Sequence, residues 1–393
     1  MNIIIDGTIY SSAPSGGAFR YFNELIPRLS RFPNTEVNIF TPKNSVPPPV
    51  TANIKVTIDS LPNGNWLPNG RLKSILRLAK KNIQGYILKS KFSGRKDSIY
   101  HSTYYTSSPW PEIPQVVTVH DMISELFSET YDLPHHQALR KIKTECLKKA
   151  SRVVAISNQT KTDLQNIYQI PASSIDVIYH GVDHSFFSQV QSTEIKTNIL
   201  KNRRLVSPYF LFLGGRLHHK NFIRFLRAFS MSQVSKDYIL AVAGTPWSHD
   251  EWQLIKSLGL EKKIVLMPYL SDTELPTIYQ NAAAFAFPSY YEGFGLPLIE
   301  AMAAGCPVVA SNGGPFPELS QGAALLFDPF DEDKMGRSLE DILVPATRAT
   351  LIEAGKKQAG KFSWNLTAEQ YYDVYKKTLR ARGEINSMFG RYF

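Results

Sequence analysis

Short runs of β-branched and other apolar residues alternate along the chain with longer stretches whose apolar positions recur at helical spacing. That alternation predicts parallel strands covered by helices on both faces, an α/β architecture. In the first half the strand-like runs are Ile3–Asp6, Val37–Phe40, Ile54–Ile58, Ile99–His101, Val116–His120, Val153–Ile156 and Asp176–Ile178. The second half repeats the pattern at Tyr209–Leu213, Ile239–Ala243, Ile264–Met267, Ala284–Phe287, Val308–Ala310 and Ala324–Phe327. Between the sets, Val182–Ser207 is polar and shows no clear period after Phe187, so it reads as a connection. Two doubly wound, Rossmann-like domains are expected, spanning 1–184 and 208–363, with a linker at 185–207 and a C-terminal stretch at 364–393. In that last stretch Leu366, Tyr371, Val374, Tyr375 and Thr378 space a terminal helix. Ligands of open parallel sheets sit outside the carboxyl ends of the strands, which singles out the loops after Asp6, His101, His120, Leu213, Met267 and Phe287.

Composition adds limits. A chain of 393 residues is too long for one compact core, and 43% apolar with 20% charged residues is ordinary globular usage. Cys146 and Cys306 are the two cysteines, too few for a disulfide framework, and a reducing, cytoplasmic setting is expected. Met1–Gly7 reads as a first strand rather than a signal peptide, and no run reaches the roughly 18–20 apolar residues that span a bilayer. The formal charge of +10 is concentrated between Arg71 and Lys96, where nine basic residues meet no acidic one. Leu72, Ile75, Leu76, Ala79, Ile83 and Tyr86 follow helical spacing there, which predicts a basic amphipathic helix. Two readings of residues 71–96 stay open: peripheral docking on anionic lipid at the inner face of the membrane, or a core-facing helix with a solvated basic face. A basic nucleic-acid-binding protein is the non-enzymatic alternative for a positive chain with 12% aromatics, but no nucleic-acid module is recognisable and nucleic acid is not an expected partner.

The chemistry concentrates in a few loops. Pro288–Met302 leaves a strand, passes Gly293 and Gly295 and enters a helix with Pro297 near its first position. Unpaired amides at such a helix start suit an anion, here a diphosphate. Glu292 and Glu300 bracket those amides and would accept from sugar hydroxyls; the alternative is a solvated Glu292 and a Glu300 that complements the helix dipole. After Tyr209–Leu213, Arg216 and Lys220 follow two glycines and could neutralise a departing phosphate, or could be a solvated helix start. On the N-terminal side, Gly16-Gly17 joins the first strand to a helix, and His120-Asp121 ends another strand. His120 there could meet a substrate hydroxyl or be a satisfied structural histidine. Asp331-Glu332-Asp333 matches a metal-binding D-x-D nominally but precedes a helical run at Lys334–Leu343, where acidic residues serve as a cap. No metal site and no cofactor are expected.

Glu292 and Glu300 form an E-x7-E pair within EGFGLPLIEAMAAGCPVVAS, followed by Gly313-Gly314 and Pro317-Glu318, and this block resembles the retaining family-four glycosyltransferases of the GT-B fold. GGAFRY at Gly16–Tyr21, TVHDM at Thr118–Met122, VVAIS at Val153–Ser157, IYHGVD at Ile178–Asp183 and FSWNLTAEQYYDVY near the end support the likeness. It departs from the family at Ala18-Phe19, where relatives often carry Ile-Gly, and in the short step from Arg216 to Lys220. The resemblance implies that the terminal helix crosses back to the N-terminal domain. It also implies a nucleotide-sugar donor and a saccharide or lipid-linked acceptor. Glu300 would bind the donor ribose, Glu292 the donor sugar, and Arg216 and Lys220 the diphosphate. The amides of Gly293, Phe294, Gly295 and Leu296, with Gly17 from the other domain, would complete the phosphate cradle. His120 would face the sugar, and backbone groups around Met267–Leu270, Tyr269 and Leu270 among them, would meet the base. The expected reaction is hexose transfer with retained anomeric configuration, UDP-glucose ahead of GDP-mannose as donor, in polysaccharide or lipopolysaccharide assembly. A sugar phosphorylase or epimerase of the same fold is the nearest alternative. A dehydrogenase fits less well, because Gly293–Leu298 lacks the third glycine of G-x-G-x-x-G.

Overall fold

A computed structural model describes residues 1–12, 16–41, 52–58, 97–268 and 270–381. The basic segment 71–96 and Tyr269 therefore lie outside the described residues. The thirteen apolar runs all become strands, and every pairing between them is parallel. The first sheet holds β1 (Asn2–Asp6), β2 (Glu36–Thr41), β3 (Ile54–Ile58), β4 (Ser98–Ser102), β5 (Gln115–Val119), β6 (Arg152–Ala155) and β7 (Ile175–Val177). The second holds β8 (Tyr209–Leu213), β9 (Ile239–Ala243), β10 (Ile264–Met267), β11 (Ala284–Phe287), β12 (Val308–Ser311) and β13 (Leu325–Phe327). Their orders are β3-β2-β1-β4-β5-β6-β7 and β10-β9-β8-β11-β12-β13.

Each sheet runs outward in both directions from a central pair, β1/β4 in one and β8/β11 in the other. The chain reverses its winding at that pair, so the loops leaving the two strands diverge to opposite faces and open a crevice between them. The loops after β1, β8 and β11 are those that carry Gly16-Gly17, Lys220 and Glu292. Strands such as β1 and β11 are buried along their whole length, as continuous apolar runs covered on both faces require.

The final helix, Trp364–Arg380, crosses back to the first domain. Trp364, Ala368, Tyr371, Val374 and Tyr375 enter a core cluster with Ile3, Phe22, Leu25 and Val116. Its hydroxyls also bond into that domain: Tyr375 meets His101 Nδ1 at 2.6 Å, and Tyr371 meets Thr118 Oγ1 at 2.7 Å. His101 Nε2 and Thr118 Oγ1 lie 2.8 Å apart, closing a buried chain of four side chains.

Two expectations change. The segment 185–207 is not a bare connection: it forms helices at His184–Ser188 and Thr193–Asn202, the second capped by Ser192. Phe187, Ile199 and Leu200 pack into the second domain's core, and Arg203 forks onto Glu274 at 2.7 and 2.6 Å. Sparse apolar residues hid this, because a helix lying on a surface needs only one narrow apolar edge. His120 falls just beyond β5, in the loop, rather than at its end.

Candidate active site

An open cavity of about 1080 Å³ lies between the domains, at the carboxyl ends of both sheets. Gly16–Arg20, His120 and His180 line it from the first domain; Lys220, Glu292–Leu296 and Glu300 line it from the second.

The second-domain wall is built by the turn after β11. Gly295 holds φ 115°, a left-handed value that a side chain disfavours, and it starts the helix Leu296–Ala303 with no side-chain cap. Pro297 has no amide to lose at this position. The first-turn amides of Phe294, Gly295 and Leu296 are thus left for a ligand, beside the positive end of the helix. Gly293 meets a different demand. A Cβ there would collide with the His120 carbonyl oxygen of the other domain, so only glycine allows the two walls to touch at this point.

Both carboxylates reach the cavity, and each holds a cation. Lys220 Nζ donates to Glu292 Oε1 at 2.6 Å. Arg20 Nη1, from the first turn of the helix Gly17–Leu29, donates to Glu300 Oε1 at 2.6 Å across the cleft. Tyr279 donates its hydroxyl to the other Glu300 oxygen at 3.2 Å. Glu300 is 5% exposed, and burial lifts its carboxyl above the usual range while Arg20 opposes that lift. Lys220 ends the short turn His218–Lys220, held by Asn221 Nδ2 on the carbonyls of Pro288 and Pro329.

Two histidines form the opposite wall. His180 sits among Tyr21, Phe294 and Trp364, one ring from each domain and one from the crossing helix, at 4.6, 4.6 and 5.8 Å between centroids. Both of its ring nitrogens, and Nε2 of His120, lack a hydrogen-bond partner among the described residues. Burial holds His120 down at about 4 and His180 well below its usual value, so both rings are neutral near pH 7. A neutral imidazole facing a cavity can donate from one nitrogen and accept at the other, which suits sugar hydroxyls rather than phosphate. The adjoining loop is anchored by Lys143, 1% exposed, which bonds the Asp121 carbonyl at 3.0 Å and Glu125 at 3.0 Å.

Lys220 lines the cavity and Arg216 does not. The Arg216 guanidinium instead donates to Glu251 at 2.6 and 3.0 Å and to the carbonyls of Thr245 and Pro246 at 2.9 Å each. It also covers the Trp247 ring at 4.5 Å, and its side chain is 3% exposed. Gly17 does stand at the cavity, while Leu270 packs against the second-domain core instead of lining the space. Asp331 caps the helix Glu332–Asp341 by accepting from the Lys334 amide, and no group of three or more His, Cys, Asp or Glu close enough to hold a metal ion occurs among the described residues.

Arg20, Asp121, His180 and Asp183, which lie within the sequence motifs, also line the cavity. Arg20 lies one helical turn after Gly17, on the face of the glycine loop, and that spacing was the available signal. His180 gave none, since its position depends on rings from three distant segments.

Two facing doubly wound domains, a helix crossing back between them and a cleft at the carboxyl ends of both sheets define a fold of the GT-B type. Residues 196–358 match the family described as glycosyl transferases group 1, and residues 15–186 match glycosyltransferase family 4. The chain belongs to the family-four glycosyltransferases. It is 28% identical over 319 residues to the O-antigen chain mannosyltransferase B of Escherichia coli, covering 78% of this chain and 83% of that protein. It is also 28% identical over 414 residues to a D-inositol 3-phosphate glycosyltransferase of Salinispora arenicola, covering 95% of this chain and 90% of that one. Among solved structures, sucrose-phosphate synthase from Thermosynechococcus elongatus shares the fold, with a TM-score of 0.71 at 21% identity over 97% of this chain and 100% of that chain.

Proposed function

We propose that this glycosyltransferase moves a hexose from a nucleoside diphosphate sugar to a hydroxyl of a saccharide or lipid-linked acceptor, with the anomeric configuration retained, in polysaccharide or lipopolysaccharide assembly. The observation that carries the reading is the convergence of Lys220, Glu292 and the uncapped start of Leu296–Ala303 on one cavity at the crevice of the second sheet. Similarity to a mannosyltransferase puts GDP-mannose ahead of UDP-glucose, reversing the order suggested by the sequence alone.

As the anomeric C–O bond breaks, negative charge gathers on the leaving diphosphate. A fixed ammonium and helix amides aimed there act mainly in the transition state. Lys220 and the amides of Phe294–Leu296 do this work without help from Arg216. Glu292 orients Lys220 and accepts from the donor sugar. His120 and His180 hold hydroxyls, and their neutral rings bring no competing charge. In the proposed front-face route the leaving phosphate oxygen takes the acceptor proton as the acceptor oxygen bonds to the anomeric carbon, so no enzyme nucleophile forms a bond. Trapping a glycosyl-enzyme adduct would refute that route.

The test is a thermal-shift screen of GDP-mannose, UDP-glucose and their diphosphates, followed by turnover assays with the stabilising donor. One of them should raise Tm. Lys220→Ala should then lower kcat by about 10²–10³ with little change in unliganded Tm, and turnover should persist in chelator. A Lys220→Ala enzyme with unchanged kcat overturns the assignment.

A further inference from the structure

The pair Arg20–Glu300 joins residues 280 apart across the cleft, and its two members are not alike. Glu300 is held in the second turn of its helix with a side chain 6% exposed, whereas Arg20 is 32% exposed at the cavity edge. The guanidinium can swing away; the carboxylate cannot. We propose that Arg20 is a placeholder for the donor: it neutralises Glu300 in the empty cleft, yields that carboxylate to the ribose diol, and turns its freed guanidinium onto the diphosphate. This deepens the nucleotide-sugar reading above and rests on it.

The charges explain why such a device is useful. Lys220 is matched by Glu292 and Arg20 by Glu300, and Glu24, Asp121, Asp183 and Asp272 line the same cavity, so the site presents no free cation to a dianion. A buried Glu300 left without a donor is costly, and Tyr279 satisfies only Oε2. Two vicinal hydroxyls can replace the guanidinium at Oε1 as hydrogen-bond donors, but they bring no charge. Arg20 has then lost its ion-pair partner, one helical turn from Gly17 and in the same cavity as Phe294, Gly295 and Leu296. A planar guanidinium suits two phosphate oxygens there. Binding of the diol and binding of the diphosphate are therefore coupled through one side chain. A ligand with the diol alone displaces the guanidinium from Glu300 and offers it no phosphate in exchange.

The experiment is calorimetry of wild type and Arg20→Gln with uridine, UDP, guanosine and GDP. The glutamine leaves Glu300 partly satisfied and is tolerated at a surface position. In Arg20→Gln the nucleoside should bind about tenfold more tightly, because no ion pair is broken, while the diphosphate should bind about tenfold more weakly. The wild-type preference for diphosphate over nucleoside thus shrinks about a hundredfold. A residue that merely shapes the cleft would move both affinities in the same direction, and that result overturns the proposal, as does a nucleoside affinity left unchanged. A 2′,3′-dideoxynucleoside, lacking the diol, should gain nothing from Arg20→Gln; an equal gain also counts against it. If wild type binds none of the four ligands, the nucleotide-sugar reading itself fails and takes this inference with it.

Discussion

Arginine and lysine placed four residues apart after a strand invite the same role, and here they make different contacts. Lys220 enters the cavity, while Arg216 ties the loop after β8 to the capped start of the helix His249–Ser257 through Glu251. Gly244 leaves room for it: a Cβ there would lie 3.0 Å from Arg216 Nη1. Arg216→Lys keeps the charge but loses the fork, so it should cost about 2 kcal/mol of stability in urea unfolding. The kcat and KM of the remaining folded enzyme should change less than about threefold, within what a remote stability effect allows. A large fall in kcat with intact stability would return Arg216 to the diphosphate. Residue identity was legible in the sequence for Lys220, Glu292, Glu300 and the glycines, because each follows from a strand, a turn and a helix start. The direction of Arg216 was not, since it depends on partners that follow β9, Glu251 and the carbonyls of Thr245 and Pro246, and on the space left by Gly244.

Strand positions were readable because each sheet is buried on both faces and its strands stand out as apolar runs. Helices on the surface were harder, as Thr193–Asn202 shows: none of its residues is fully buried. The crossing helix lies between these cases. Its apolar spacing announced a helix, but nothing in that spacing announced that Tyr375 and Tyr371 would close a chain through His101 and Thr118. Burial holds the His101 ring down at about 3, so it stays neutral and needs its partners. Tyr375→Phe should strand Nδ1 in the core and cost about 1–3 kcal/mol. Chemical denaturation followed by tryptophan fluorescence checks this, Trp364 opening that helix. Unchanged stability would show that the Tyr375–His101 bond does not hold the helix.

The two domains meet at more than the cleft. Glu318 of the second accepts from the amides of Asn158 and Gln159, the start of a first-domain helix, at 3.1 and 3.3 Å. Tyr291 donates to Asp163 at 2.6 Å, and Tyr131 meets His219 Nδ1 at 2.7 Å. Gly293 also packs directly on the His120 carbonyl, where a Cβ would collide. Gly293→Ala should wedge the walls apart at that point. Small-angle scattering should report a larger radius of gyration, and activity should drop at least about a hundredfold through misplacement of the reacting groups. An unaltered radius together with near-normal turnover would mean that the contact is not needed for closure.

The order of segments along the chain also bears on how the protein is made. Tyr21, Phe22 and His101 belong to the first domain, yet part of their cover comes from residues 364–380. On a ribosome adding roughly 5–20 residues per second, the first sheet is finished about ten to forty seconds before that cover emerges. Throughout that interval the nascent chain carries an uncovered aromatic seam, and chaperone demand should persist until residues 364–380 have emerged.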